Sequence, residues 1–433
     1  MSFRLIFLIL PYIMRNRYHQ LQLFFLCLTA FVFPLYIKLT SFTLILLFFS
    51  SFILKDNRKA YLSLLKNPLY YLFISPILVA IAGLINADSF SQGWGLVTVL
   101  SSLVLFPFVF ISFGQNPLQN KYQYINSFFI LGITTAFLLC LGLAYLNFAH
   151  YHNKDYFFYA RLSSYIMSPN HLSFYVLWAI LLIVTDLTGL VSNLILYNSK
   201  ISKVLALLIL MCFLFLLASK AAFLIFCVLV AAFILYLIIN RVIPVWQSVI
   251  IIAVVSMLGF YLYQTTNIKG RIQFAYKVLE SDKVNQSASQ ESTALRLSAF
   301  EASKNIIKEN LFSGVGTGDV QKSMLSWYNQ HGKSGAYIHQ TNPHNQYLFS
   351  FIMNGITGLL ALLAMFGAMF YKSVKEKNIT FFFWSVFMFL MFFTDDIMTI
   401  QIGVVFFAFY SSSFLFRQKP INTYPDYQHD PEP

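Results

Sequence analysis

Twelve apolar runs separated by polar turns divide most of this chain, near 20–37, 39–54, 68–86, 95–113, 127–149, 169–186, 203–218, 221–240, 247–265, 346–371, 380–394 and 398–416. A helix that crosses a bilayer needs roughly 20 mostly apolar residues. Lipid offers the backbone no hydrogen-bond partner, so each run must satisfy its own N–H and C=O groups as a helix. Composition agrees, with 58% hydrophobic residues and only 10% charged. A soluble domain carries about 25% charged residues, so this chain cannot cover a water-facing surface. Disordered, collagen-like and disulfide-scaffold classes are excluded as well. The expected fold is an all-α polytopic membrane protein of about twelve transmembrane helices with one large, partly helical loop on the outer side. Pro34, Pro76 and Pro107 are expected to kink their helices.

The net charge of +13 would point to nucleic acid in a soluble protein. Here its placement argues otherwise. Arg4, Arg15 and Arg17, then Lys55, Arg58, Lys59 and Lys66, then Lys372, Lys375 and Lys377, and finally Arg417 and Lys419 sit between the apolar runs. Clusters of that kind mark cytoplasmic loops. An even number of crossings puts both termini on that side. Cys27, Cys140, Cys212 and Cys227 lie inside apolar runs without a CxxC spacing, so they read as small buried hydrophobes. The stretch Phe3–Met14 ends in cations and lacks a small-residue cleavage site, so it reads as an interfacial or re-entrant helix, not a signal peptide.

Four units follow: a bundle of about nine helices at 1–265, an outer-side loop domain at 266–345, which the resemblance given below makes periplasmic, three helices at 346–416, and a polar, disordered cytoplasmic tail at 417–433. The loop is too long to be a mere connector. A polar, mobile stretch at 285–292 precedes an amphipathic helix over Thr293–Asn310, with Leu297, Phe300, Ile306 and Ile307 near a 3.6 period. Gly314-Val-Gly316-Thr-Gly318 breaks that helix. It lacks the Lys-Ser/Thr of a phosphate-binding loop and follows no strand, so it reads as a turn.

Chemistry-bearing residues collect on the loop face. His344, at the helix start Pro343-His344-Asn345, is a general-base candidate or an interfacial His satisfied by water. Arg161, Lys220 and Arg296 share that face, where cations at membrane depth are costly and commonly functional. Each alone is also readable as a snorkelling anchor. Together with His344 they point to an anionic, lipid-linked substrate. Asp395 and Asp396 form an acidic pair, read as structural or arginine-pairing ahead of a metal or acid–base role.

His344-Asn345, nine residues, then Gly355-Ile-Thr-Gly358 resembles the signature of the bacterial O-antigen ligase/polymerase superfamily. Arg161…Pro169-Asn170 is similar to that family's Arg…Pro-Asn stretch. Arg296…Gly314-Val-Gly316 is similar to its Arg-led loop helix that ends in Gly-Val-Gly. Where the family often carries Ser-Arg, this chain has Ser219-Lys220, which keeps the charge but loses the guanidinium fork.

The resemblance implies a GT-C-like glycosyltransferase of the bacterial inner membrane, inverting, metal-independent and free of cofactors. Its donor would be a glycan on undecaprenyl diphosphate and its acceptor lipid A–core or another glycan. His344 and Arg296 would be catalytic, with Arg161, Lys220, Asn345 and Asn170 binding substrate. An O-antigen ligase is the first reading. A repeat-unit polymerase or a protein O-oligosaccharyltransferase shares the chemistry, and a lipid-linked glycan transporter is the rival of another class.

Overall fold

The computed structural model describes residues 3–52, 57–114, 118, 121–192, 194–242, 244, 246, 273 and 292–417, with the backbone alone for 3–17 and Ser292. The ninth apolar run (247–265), Lys55, the polar stretch 285–291 and the tail 418–433 lie outside the described residues.

Every regular element among the described residues is helical. In chain order the α-helices are α1 (Phe3–Val32), α2 (Ile37–Phe52), α3 (Arg58–Leu65), α4 (Pro68–Ala82), α5 (Phe90–Leu100), α6 (Ser102–Phe113), α7 (Tyr122–Tyr151), α8 (Tyr159–Ser163) and α9 (Pro169–Leu187). They continue with α10 (Lys200–Leu217), α11 (Lys220–Ile239), α12 (Ser292–Glu309), α13 (Val320–Gln330), α14 (Ser334–Ile338), α15 (Gln346–Lys375), α16 (Ile379–Met391) and α17 (Gln401–Leu415). Among the described residues six segments are long and apolar enough to cross a membrane, with α5 and α6 together forming one of them, or seven if the bent pair α3–α4 counts as one span. Four shorter apolar segments accompany them: Tyr18–Val32, Ile37–Phe52, Ile379–Met391 and Gln401–Leu415. The chain is an all-α, multi-pass membrane protein.

Local chemistry sets the helix starts. Asn67, Ser168, Ser199, Ser219, Asn345 and Asn378 each occupy an N-cap and accept a backbone N–H from the first turn. Pro68 and Pro169 follow two of these caps, where a missing N–H costs nothing. Pro76 and Pro107 lie within helices, and Pro34 sits in the turn between α1 and α2. Phe3–Met14 is helical and continuous with the rest of α1, which runs unbroken through Arg15 and Arg17.

The core is aromatic, and α17 lies inside it, buried on almost every side. A helix that is apolar all round belongs in such a position. Trp178 and Trp384, themselves edge to face with centroids 4.6 Å apart, pack against Phe406 and Tyr410 of α17, Trp384 edge to face on Phe406 and tilted against Tyr410. The Trp384 indole N–H donates to Ser411 Oγ at 2.9 Å, so its polar end is satisfied. Leu138, Leu139 and Leu146 of α7, Ile201, Leu205 and Leu208 of α10, and Leu224 and Leu235 of α11 point outward. A patch this apolar is stable only against lipid. Cys212 and Cys227 share the outward faces of α10 and α11, so only Cys27 and Cys140 are buried as expected.

The largest departure from regular helix is in α15. Asn354 (φ −132°, ψ 24°) and Gly355 (φ 61°, ψ −151°) break it without a proline. The segment Leu311–Asp319 passes through the break. Val315 N–H donates to Ile352 O and Gly316 N–H to Met353 O, both at 2.9 Å, while Ile356 N–H donates to Leu311 O at 2.9 Å. Farther along, Thr317 N–H reaches Gly83 O, and the Asp319 carboxylate accepts the N–H groups of Asp88 and Ser89 at 2.7 and 3.1 Å. Gly314, Gly316 and Gly318 all have positive φ. The glycine turn is therefore a strap that ties the loop to both α4–α5 and α15.

The loop helix forms as expected, but only part of its expected face, Ile306 with Ile307 beside it, packs inward. Ala294, Ser298, Ala299, Ala302, Ser303 and Ile306 face inward, while Leu297 and Phe300 are exposed. Small residues let the helix lie close against the bundle, and the two large apolar side chains are left on the far side.

Candidate active site

The site is built where α9, α11, α12 and α15 begin and where the chain turns between α16 and α17. His344 immediately precedes the cap of α15 and holds a left-handed φ of 48°. That conformation is uncommon for a residue with a side chain, and such strain is retained where surroundings enforce it. The enforcement is visible in the next two residues. Asn345 Oδ1 accepts Leu348 N–H at 3.1 Å, and its Nδ2 donates to Phe393 O at 3.3 Å. Gln346 N–H donates to Phe392 O at 2.8 Å, and its buried Oε1 accepts Met398 N–H at 2.7 Å. His344 is thus stitched to both sides of Asp395-Asp396.

His344 Nδ1 lies 3.6 Å from Asp395 Oδ1 and 4.0 Å from Asp396 Oδ1. On the other side of Asp395, His171 Nε2 stands 3.5 Å from Oδ2. The two acids are nearly enclosed, with 11% and 7% of their side chains exposed, whereas His344 keeps 37%. Burial alone would raise the Asp395 carboxyl, but His344 and His171 hold it below the usual carboxylate range. Burial and the Asp395 charge push Asp396 up to about 7. One acid is therefore the anion facing two imidazoles, and the other retains its proton near neutrality.

An ionised Asp395 facing Nδ1 of His344 favours the tautomer with the proton on that nitrogen. Nε2 is then the ring atom free to accept a proton. The same three groups, His344, Asp395 and Asp396, also offer ligand atoms within 4.8 Å of one another, close enough for one cation. Asp395 and Asp396 were expected to be structural or to pair with arginine; their ion-pair partners among the described residues are histidines.

The other expected site residues divide into two groups. Asn170 Oδ1 accepts Ser219 Oγ–H at 2.9 Å, joining the starts of α9 and α11. Lys220 Nζ reaches Thr293 Oγ1 at 3.4 Å, which carries the link to α12, where Arg296 is half-buried one turn on. Arg161 is engaged elsewhere. It pairs with Asp155 at 3.4 Å and lies over the Tyr156 ring at 5.6 Å, on an exposed surface. The Asn345 amide is engaged at both ends by backbone groups, which fixes the chain beside His344.

Sequence reading missed His171 and Gln346. His171 stands in the motif Pro169-Asn170-His171, yet nothing in its spacing pairs it with an acid far along the chain. Gln346 gave a weaker signal still, a polar residue at the start of an apolar run.

A family model described as O-antigen ligase matches residues 205–363. The match runs from within α10 to the middle of α15 and takes in Lys220, Arg296, His344, Asn345, Gly355 and Gly358. Arg161, Asn170, His171, Asp395 and Asp396 lie beyond it. No curated protein matches the chain. The signature residues lie inside the matched stretch and a helical membrane fold surrounds them, so residues 205–363 are similar to the O-antigen ligase family.

Proposed function

We propose that this protein is an inverting O-antigen ligase, moving a glycan from undecaprenyl diphosphate to a lipid A–core hydroxyl at the periplasmic face of the inner membrane. The observation that carries the reading is the pairing of His344 with the buried carboxylate of Asp395, at the signature within the family match. His344 Nε2 takes the proton of the acceptor hydroxyl. The acceptor oxygen then forms its bond to the anomeric carbon as the bond from that carbon to the diphosphate oxygen breaks. The leaving group is undecaprenyl diphosphate, and Arg296 and Lys220 balance its charge. A general base of this kind contributes about 10²–10⁴-fold. The outward apolar faces seat the polyprenyl chain. Asn170 acts through Ser219 to set the start of α11, beside Lys220. Arg161, bound to Asp155 in the free protein, meets the glycan or its phosphate only by exchanging that partner.

The test begins with His344→Ala in a deletion strain. The variant accumulates in the membrane but transfers nothing, and full activity would remove His344 from the chemistry. Surface glycan from the deletion strain identifies the acceptor. Free polymer beside bare core means ligase, core capped by a single repeat means polymerase, and normal lipopolysaccharide with unglycosylated protein means the protein-directed enzyme. Activity that survives excess EDTA supports a proton in the His344–Asp395–Asp396 group. Activity lost to EDTA and restored by a divalent ion reassigns those three residues as ligands.

A further inference from the structure

Behind the His344–Asp395 pair stand two residues outside the family match and outside the expected site. Ser168 caps α9, and its Oγ accepts the backbone N–H of His171 at 3.4 Å. The hydroxyl proton is then free, and Oγ lies 2.5 Å from His171 Nδ1. With Nδ1 accepting that proton, the ring proton of a neutral His171 sits on Nε2, the nitrogen that faces Asp395 Oδ2 at 3.5 Å. A protonated His171 would present the same Nε2–H to the acid. Neither His171 Nε2 nor His344 Nδ1 has another hydrogen-bond partner among the described residues.

Both oxygens of Asp395 are therefore directed. Oδ2 faces His171, while Oδ1 accepts the Asp396 N–H at 3.0 Å and faces His344 at 3.6 Å. His171 itself sits in the first turn of α9, three residues after the cap and two after Pro169, where the backbone has little freedom. The separations of 3.5 and 3.6 Å are long for hydrogen bonds, as catalytic contacts often are before substrate is bound.

We propose that Ser168 and His171 are positioning residues for the base: acting through Asp395, they fix the plane of its carboxylate and so hold His344 with Nε2 free toward the acceptor hydroxyl. This rests on the reading of His344 as general base. Neither residue touches substrate. Their effect is on the orientation of a group already bound, so it falls on turnover and not on donor binding.

The experiment compares His171→Leu, His171→Gln and Ser168→Ala in purified full-length protein, with polyprenyl-diphosphate-linked glycan extracted from the deletion strain as donor. Leu removes both nitrogens at similar volume, whereas the Gln amide can still donate to Asp395. Loss of an outer partner that orients a functional group costs typically 10–100-fold. His171→Leu is expected to lower kcat by about that factor with the donor KM unchanged, His171→Gln to recover most of it, and Ser168→Ala to fall between. Melting temperature is measured alongside, and the Gln-against-Leu comparison stands even where one variant folds poorly. Equal kcat for Gln and Leu, or a change confined to KM, overturns the proposal. His344→Ala in the same assay separates the two readings. If it is active, the base assignment fails. If it is inactive while His171→Leu turns over at the wild-type rate, only the positioning role fails.

Discussion

At the scale of single residues, the site separates two neighbouring acids into different protonation states. Asp395 is held as an anion between two imidazoles, and burial with the Asp395 charge lifts Asp396 to about 7. An unfolded aspartate titrates near about 3.9. The fold therefore holds the Asp396 proton more tightly than the unfolded chain does, and between those pH values stability falls as pH rises. Asp396→Asn cannot ionise, so it is expected to melt at a higher temperature than the wild type at pH 8. Thermal unfolding in detergent should show that advantage shrinking at pH 5, and an advantage that grows on acidification would contradict this account. Arg296 gives a second residue-scale expectation. Arg296→Ala should raise the donor KM more than Arg296→Lys does, because lysine keeps the charge and loses only the planar fork. Equal steady-state effects of the two would argue against a specific diphosphate contact. How much of this was legible follows from distance along the chain. His344 and Arg296 sit in local motifs and could be read there. The relation of Asp395 to His171 is made by packing between α9 and the α16–α17 turn, which no local spacing encodes.

At the scale of elements, the signature glycines serve the backbone. A Cβ on Gly355 would lie 2.2 Å from Phe312 O, and its φ of 61° is one that side chains rarely adopt. A Cβ on Gly358 would lie 2.1 Å from Ser350 O, across the break in α15. Gly355→Ala is therefore expected to lose about 1–3 kcal/mol through backbone strain alone, with the clash against the strap added to that. Gly142→Ala, whose Cβ meets nothing within 4 Å, is the neutral control. Thermal stability of the two, measured side by side, checks this; a Gly355→Ala protein as stable as the control would mean that the strap is not held there. The sequence showed these glycines clearly and their purpose poorly. The Gly314–Gly318 run read as a turn because spacing reveals a need for unusual φ but not the neighbour that imposes it. The loop helix was legible in extent, yet Leu297 and Phe300 dominated its periodicity while smaller residues took the buried face. Volume, not hydrophobicity, decided which side could approach the bundle.

At the scale of the whole molecule, the apolar runs were the most legible feature, since lipid leaves the backbone no alternative to helix. Eleven of the twelve runs overlap helices in the described residues, and 247–265 lies outside them. The lysine and arginine clusters between the runs lead to a prediction of orientation, with the turn after α2, the turn after α15 and the C-terminus in the cytoplasm. Single cysteines placed at Lys59 and Lys377 should resist a membrane-impermeant thiol reagent in intact cells, on a background in which Cys27, Cys140, Cys212 and Cys227 are replaced. One placed at Lys322 in the loop should react. The reverse labelling pattern would invert the orientation and place the site in the cytoplasm.

The dispersal of the site along the chain bears on its biosynthesis. Ser168 and His171 emerge early, the glycine strap and His344 much later, and Asp395 only between α16 and α17. On the proposed reading of His344 as the base, a nascent chain lacks the carboxylate that faces it until α16 and α17 have entered the membrane. Competence then arrives with the insertion of α16 and α17, so a chain terminated before Asp395 would carry the signature in full and is expected to be inactive.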